Sequence, residues 1–319
     1  MKVFLTTLLA LLYFFGIPEA EATEYSAKTL VSALPSKIET IIGANNLTET
    51  LPGARKESFN LVCPLLPSPY FENTNNLGSI GFLSFKSVDC FVQGYQFLRP
   101  NPMKDLEFNY FAIYLLKPTH AQSVQSNLKK SAKSEIESNI EIWSIRDDTL
   151  GLGGAHFCIV NERLLVFATK KSFVVEIYSR LSGKRKNSIL KEWSELQDID
   201  LRSHYFAVRH YQKEQNTRYW SDGDLAFVRD EAVVGFSFVS NSLKWEKATV
   251  KYYSKKTETF DDYLLSVTRN PVYPTKSSFQ FRLISKKEDT RTYELIGNSE
   301  DSRGNMYFTL PLILGFVPI

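Results

Sequence analysis

The chain has 319 residues, 43% of them hydrophobic and 23% charged, and carries a formal net charge of +3. This balance excludes a disordered or low-complexity protein, and the length is enough to bury a substantial core. So small a basic excess leaves no electrostatic footprint for nucleic acid, and no nucleic-acid partner is expected.

Residues 1–22 read as a secretory leader. Lys2 gives a short positive start, residues 3–15 are apolar almost without interruption, Gly16 and Pro18 break the run, and Ala20-Glu21-Ala22 offers a small-residue cleavage site. A helix needs ~20 apolar residues to cross ~30 Å of hydrocarbon, so a retained anchor is the weaker expectation. No cysteine stands at the cleavage site, which argues against a lipid anchor. The chain is thus expected to be exported, to the periplasm, the envelope or the medium, with no transmembrane helix after cleavage. Its expected organisation is a signal peptide over 1–22, an irregular N-terminal wrapping segment over 23–76, and two α+β halves over 77–200 and 201–319.

In the wrapping segment, Leu30, Leu34, Ile38 and Ile41/Ile42 suit one face of short helical turns interrupted at Pro35. Strand patterns follow at 79–85 and 88–98. The second sends Asp89, Phe91, Gln93, Tyr95 and Phe97 to one face and Val88, Cys90, Val92 and Gly94 to the other. The aromatic stretch 108–116 suits a central strand. Pro118 then opens a helix with an apolar stripe of Ala121, Val124, Leu128 and Ala132. Strands are predicted at 140–145, 155–160 and 164–169, the last two forming a hairpin through Asn161-Glu162-Arg163. A helix over 172–181 turns Phe173, Ile177 and Leu181 inward, and another over 188–196 does so with Ile189, Trp193 and Leu196. Lys184-Arg185-Lys186 follows Gly183, where cations suit the negative end of a helix.

The second half repeats this order loosely. Strands are predicted at 204–211, 225–229, 233–239 and 248–253, a helix at 257–268, strands at 279–285 and 292–296, and a last strand near Met306. The fold class is α+β, with mainly antiparallel sheets, helices packed on one face, and two loosely related halves.

Three cysteines leave an odd one. A Cys63 to Cys90 bridge would stabilise the fold by roughly 3 to 4 kcal/mol in the chain-entropy model. Three thiols buried as small hydrophobes is the open alternative. No pair has the CxxC spacing of a redox or zinc site. The strongest candidate site is the strand at 203–211. Alternation puts Tyr205, Arg209 and Tyr211 on one side, a cation between two phenols that can hold an anion or a ring, and His204, Phe206, Val208 and His210 on the other. The bland reading pairs Arg209 with a nearby carboxylate. The candidate ligand-binding set is Tyr205, Arg209, His210 and Tyr211. A hydrolase using His210 as base with Asp222 or Asp224 is the catalytic alternative.

Other features carry less chemistry. His204 and His210 are too far apart along a strand to share a metal, so no metal and no cofactor are expected. The acidic turn at 220–224 lacks the further ligands of a calcium loop. The glycines at 151–154 precede a strand, not a helix, and so do not form a phosphate cradle. His156 and Cys158 share a strand face, but the apolar neighbours of Cys158 favour an inert core thiol.

Two segments carry a likeness: Leu164-Leu165-Val166-Phe167-Ala168-Thr169 running into the 172–181 helix, and Phe206-Ala207-Val208-Arg209-His210-Tyr211 followed by Ala232-Val233-Val234-Gly235-Phe236. They resemble a group of uncharacterised exported bacterial proteins common in planctomycetes. Gln215-Asn216-Thr217-Arg218 stands where that group has an Asp/Pro/Ser-rich stretch. The resemblance implies an exported bacterial α+β protein and adds no activity. The functional expectation is a non-catalytic protein that binds a small molecule or a protein partner. The apolar end at 308–319 is the sole support for a third reading, a structural part of an envelope assembly.

Overall fold

The structure, a computed structural model, describes residues 25–35, 38–45, 83, 87–97, 108–145, 154–185, 188–197, 199–203, 205–211, 232–241, 244–254, 279–287 and 290–297. The strands in chain order are β1 (Thr40–Ala44), β2 (Val88–Phe97), β3 (Phe108–Leu116), β4 (Lys133–Glu137), β5 (Ile140–Ile145), β6 (Ala155–Val160), β7 (Leu164–Ala168), β8 (Tyr205–Tyr211), β9 (Ala232–Asn241), β10 (Lys244–Ser254), β11 (Phe279–Lys286) and β12 (Thr290–Gly297). The helices are α1 (Ala27–Val31), α2 (Pro118–Ser131), α3 (Lys171–Leu181) and α4 (Ile189–Glu192), with a 3-10 turn at Ser194–Gln197. Among the described residues the strands form one sheet, in the order β11-β12-β10-β9-β8-β1-β2-β3-β7-β6-β5-β4. Every neighbouring pair is antiparallel. The chain is an α+β protein with a mainly antiparallel sheet.

The centre of that sheet is built from its shortest kind of strand. β1 lies between β2 and β8 and is buried at all five positions. A Thr-Ile-Ile run is β-branched and favours the pleat, and a strand bonded along both edges with both faces covered needs no polar alternation. The expected helical turns through Ile41 and Ile42 are corrected here. Helix α1 starts on a Ser26 capping box and ends at Val31, and the chain then extends into the sheet. Two glycines allow β1 to sit close to its neighbours. A Cβ on Gly43 would meet the Phe206 ring, and one on Gly94 would meet Ile38, Phe111 Cε2 at 2.8 Å and the Thr40 carbonyl oxygen at 2.9 Å.

One face of the sheet carries the main core. Ile41, Val92, Phe111, Ile113, Cys158, Val166, Phe206 and Val208 pack with Leu30 and Leu34 around α1, Val174 and Ile177 of α3, and Ile189, Trp193 and Leu196 beyond it. Each such side chain contributes roughly 1.5 to 3 kcal/mol when fully buried. Phe173 of α3 lies 5.5 Å from Phe111, ring to ring. The basic stretch after α3 is a helix terminus, as read from the sequence. Gly183 adopts φ +73°, Lys184 lies 5.6 Å over Tyr178, and Arg185 lies 3.7 Å from Glu176.

Helices on one face holds for α1, α3 and α4, and α2 is the exception. Its Lys129 ammonium lies 6.0 Å over Trp143, and Trp143 pairs with Phe157, on the side opposite to Ile140 and Ile142. Here α2 is a crossover. β3 and β4 run in the same direction, so the chain must cross the sheet between them, and it returns through β5, β6 and β7 to pair with β3. The far side has the same connectivity: β10 and β11 run in one direction and β12 returns to pair with β10. β4 was not anticipated, because its five residues are all exposed and carry no apolar alternation.

The expected elements at 225–229, 257–268 and near Met306 lie outside the described residues, as does 79–85 apart from Leu83. No helix among the described residues is long and apolar enough to cross a membrane.

Candidate functional site

Strand β8 carries the sequence's best candidate, and its register decides what Arg209 meets. Arg209 stands opposite Thr40 on β1 and Val234 on β9. The adjacent row on the same face runs Ala207 of β8, Ile42 of β1, Gln93 of β2 and Ala112 of β3. Strand side chains alternate, so these residues and Tyr110 share the face opposite to the main core. Directly opposed residues have Cβ atoms about 4.5 to 5.5 Å apart, and diagonal neighbours remain within reach of long side chains. Arg209, Thr40 and Tyr110 stand in one row, with position 95 between the last two, and Gln93 stands in the adjacent row diagonal to Thr40 and Tyr110; together the four form a polar row two residues deep across four central strands.

The row is buried: Thr40, Gln93 and Tyr110 are 0% exposed and Arg209 5%. The Tyr110 hydroxyl donates to Gln93 Oε1 at 2.6 Å, which turns the amide nitrogen of Gln93 the other way. Gln93 Nε2 and Thr40 Oγ1 have no hydrogen-bond partner. Buried polar groups are nearly always satisfied, and leaving one unmade costs about 1 to 3 kcal/mol. Two such groups side by side call for an explanation. Arg209 is engaged in the folded chain and brings positive charge to the row. None of the eight positions named on this face carries a carboxylate. In chemical terms the row holds a partnerless amide N–H pair and a partnerless hydroxyl beside a guanidinium that is already engaged.

The expected ligand-binding set divides. Position 205 pairs with Ala44 and Phe238, and position 211 with Ala232, so both are backbone neighbours of the row along β8. His210 is on the other face, where its ring meets Trp193 edge-on at 5.5 Å, while its backbone N–H donates to the Glu39 carbonyl at 2.8 Å. Arg209 and His210 consequently serve different faces of one strand. His204, Asp222 and Asp224 lie outside the described residues. So does Cys63, and Cys90 is a buried free thiol, so the expected bridge has no counterpart among the described residues. Thr40, Gln93 and Tyr110 were not singled out from the sequence. The available signal was Gln93, a lone amide between Phe91 and Tyr95 on its predicted strand face.

A second polar cluster lies near the β4 edge. Ser144 Oγ is 2.9 Å from His156 Nδ1, and Lys171 forms an ion pair with Glu135 beside them. Burial holds the His156 imidazole below its ordinary range, the Lys171 charge lowers it further, and Glu135 and Glu137 pull the other way. Cys158, two residues along the same strand, is fully buried, and burial pushes its thiol up to about 12. Cys90 is pushed up to about 12 by burial and then by the Asp89 charge. Thiols so far from ionising are not nucleophiles, as the sequence suggested for Cys158. Among the described residues no three His, Cys, Asp or Glu side chains gather to hold a metal. No protein-family model, curated protein or solved structure matches this chain.

Proposed function

We propose that this is an exported, non-catalytic binding protein whose ligand sits against the buried polar row of Arg209, Thr40 and Gln93. The observation that carries the reading is the pair of partnerless buried groups, Gln93 Nε2 and Thr40 Oγ1, on adjacent central strands. A ligand that offers acceptor atoms would satisfy both, and the aromatic and aliphatic face around them resembles the mostly apolar lining of small-molecule sites. Export rests on the leader at residues 1–22, and the likeness to exported bacterial proteins agrees with it. The hydrolase alternative has less support, since His210 packs on Trp193 away from the row and its aspartates lie outside the described residues. The envelope-assembly reading rests on 308–319, also outside them.

The reading is tested by thermal unfolding of the purified protein against a panel of organic acids, sugars, amino acids and phosphate esters. A ligand at 100 times its Kd stabilises the folded state by about 2.7 kcal/mol, and the Gln93→Leu variant should lose that shift. If no compound moves the parent and the variant behaves identically, the row is not a binding site.

A further inference from the structure

We propose that the edge strand β4 pairs with the β4 of a second copy of this chain, antiparallel and about a two-fold axis through Glu135. Among the described residues β4 is bonded only to β5, so the backbone groups along its other edge have no strand to meet. All five of its residues are exposed, and Ile136 is 80% exposed. Such an edge is a template for another strand.

Charge selects the occupant. Lys133, Glu135 and Glu137 stand on one face of β4, opposite Ser144, Ile142 and Ile140 of β5, and Ser134 and Ile136 stand on the other face. Glu135 already holds the Lys171 ammonium. Lys133 and Glu137 take part in no ion pair among the described residues, and their neighbours across β5 carry no charge. Self-pairing about Glu135 is the antiparallel register that uses all five residues, and it sets Lys133 of each copy opposite Glu137 of the other. The two Glu135 side chains meet at the axis, each with its own Lys171. Centring the axis on Ile136 instead would set Glu135 against Glu137 at both ends. On the far face the two Ile136 side chains become diagonal neighbours, within reach of contact, and lose much of their exposure. The same patch serves both copies, so the pair closes and leaves no β4 edge for further growth. One five-residue strand buries less than a stable dimer needs, so the association is weak, with a Kd of about 0.1 mM.

The test is sedimentation equilibrium of the purified protein over roughly 10 to 500 µM, a range that brackets this Kd. The parent should pass from monomer toward dimer and no further. Lys133→Glu and Glu137→Lys each place like charges at both ends of the pair and should weaken it about tenfold. An equimolar mixture of the two variants restores opposite charges at both ends, because positions 133 and 137 are then both acidic in one chain and both basic in the other. That mixture should dimerise at least as tightly as the parent, which also shows that both variants are folded. A parent that stays monomeric throughout the range overturns the proposal. A mixture no tighter than either variant alone overturns it by placing any dimer contact elsewhere, and a mass that grows past the dimer overturns it by giving β4 to β11 of the next molecule.

Discussion

His156 illustrates how one side chain ties stability to pH. Its imidazole is held below the ordinary range, first by burial and then by Lys171, against the opposite pull of Glu135 and Glu137. A depressed histidine favours the neutral native form. The unfolded chain takes up a proton near pH 6.5, whereas the folded chain does so only at lower pH. The stability it supports is therefore present above about pH 6.5 and is lost as the pH falls from there toward the native value. The urea midpoint should drop between pH 7.5 and 5.5 in the parent, and the drop should be smaller in His156→Gln. An equal drop in both would assign the pH dependence to other groups. Ser144 also bears on this, because its hydroxyl at 2.9 Å from Nδ1 fixes the ring's orientation.

At the scale of elements, the close approach of β1 to its neighbours is the most exposed to mutation. Gly94 stands opposite Ile41 on β1, and a methyl there meets the Thr40 carbonyl, a backbone atom that cannot swing aside. At Gly43 the obstacle is the fully buried Phe206 ring, a side chain whose rotamer rather than backbone would have to give. Gly94→Ala should cost about 1 to 3 kcal/mol and Gly43→Ala the lesser part of that range, read from urea midpoints. Equal and negligible costs would mean that β1 is not held this tightly. The same strand marks where sequence reading stops. β5, β6, β7, α2 and α3 were legible because their patterns are local: a hairpin turn at Asn161 and Glu162, both at positive φ, and stripes at helical spacing. β1 was not, because five residues after Pro35 carry too little periodicity, and what makes them a strand is β2 and β8, remote in sequence. The site divides in the same way. Arg209 stood out by its neighbours along β8, but Thr40, Gln93 and Tyr110 join it only through sheet register.

On the scale of the whole molecule, the described sheet has two edges, β11 and β4, and each exposes apolar side chains. Ile136 of β4 is 80% exposed, and Leu283 and Ile284 of β11 are 44% and 53% exposed. Unpaired strand edges are templates for further pairing, and charges and bulges are the usual guards. Both guards are present. β4 interleaves Lys133, Glu135 and Glu137 with Ile136, and β11 has a register shift between Leu283 and Ser285 next to Arg282 and Lys286. The two edges are unlike, so pairing β4 of one molecule with β11 of another would be head-to-tail, giving a ring where the rotation closes and an open chain of molecules where it does not. Acidic side chains on one edge and basic ones on the other leave such pairing opposed mainly by the bulge and by water around the charges. Glu137→Val would make Ile136 part of a continuous apolar edge, and light scattering should then rise steeply with concentration. Ile136→Lys should lower it below the parent, with the urea midpoint unchanged within about 0.5 kcal/mol because the side chain is outside the core. If both variants scatter like the parent at every concentration, β4 is not the edge through which these molecules meet.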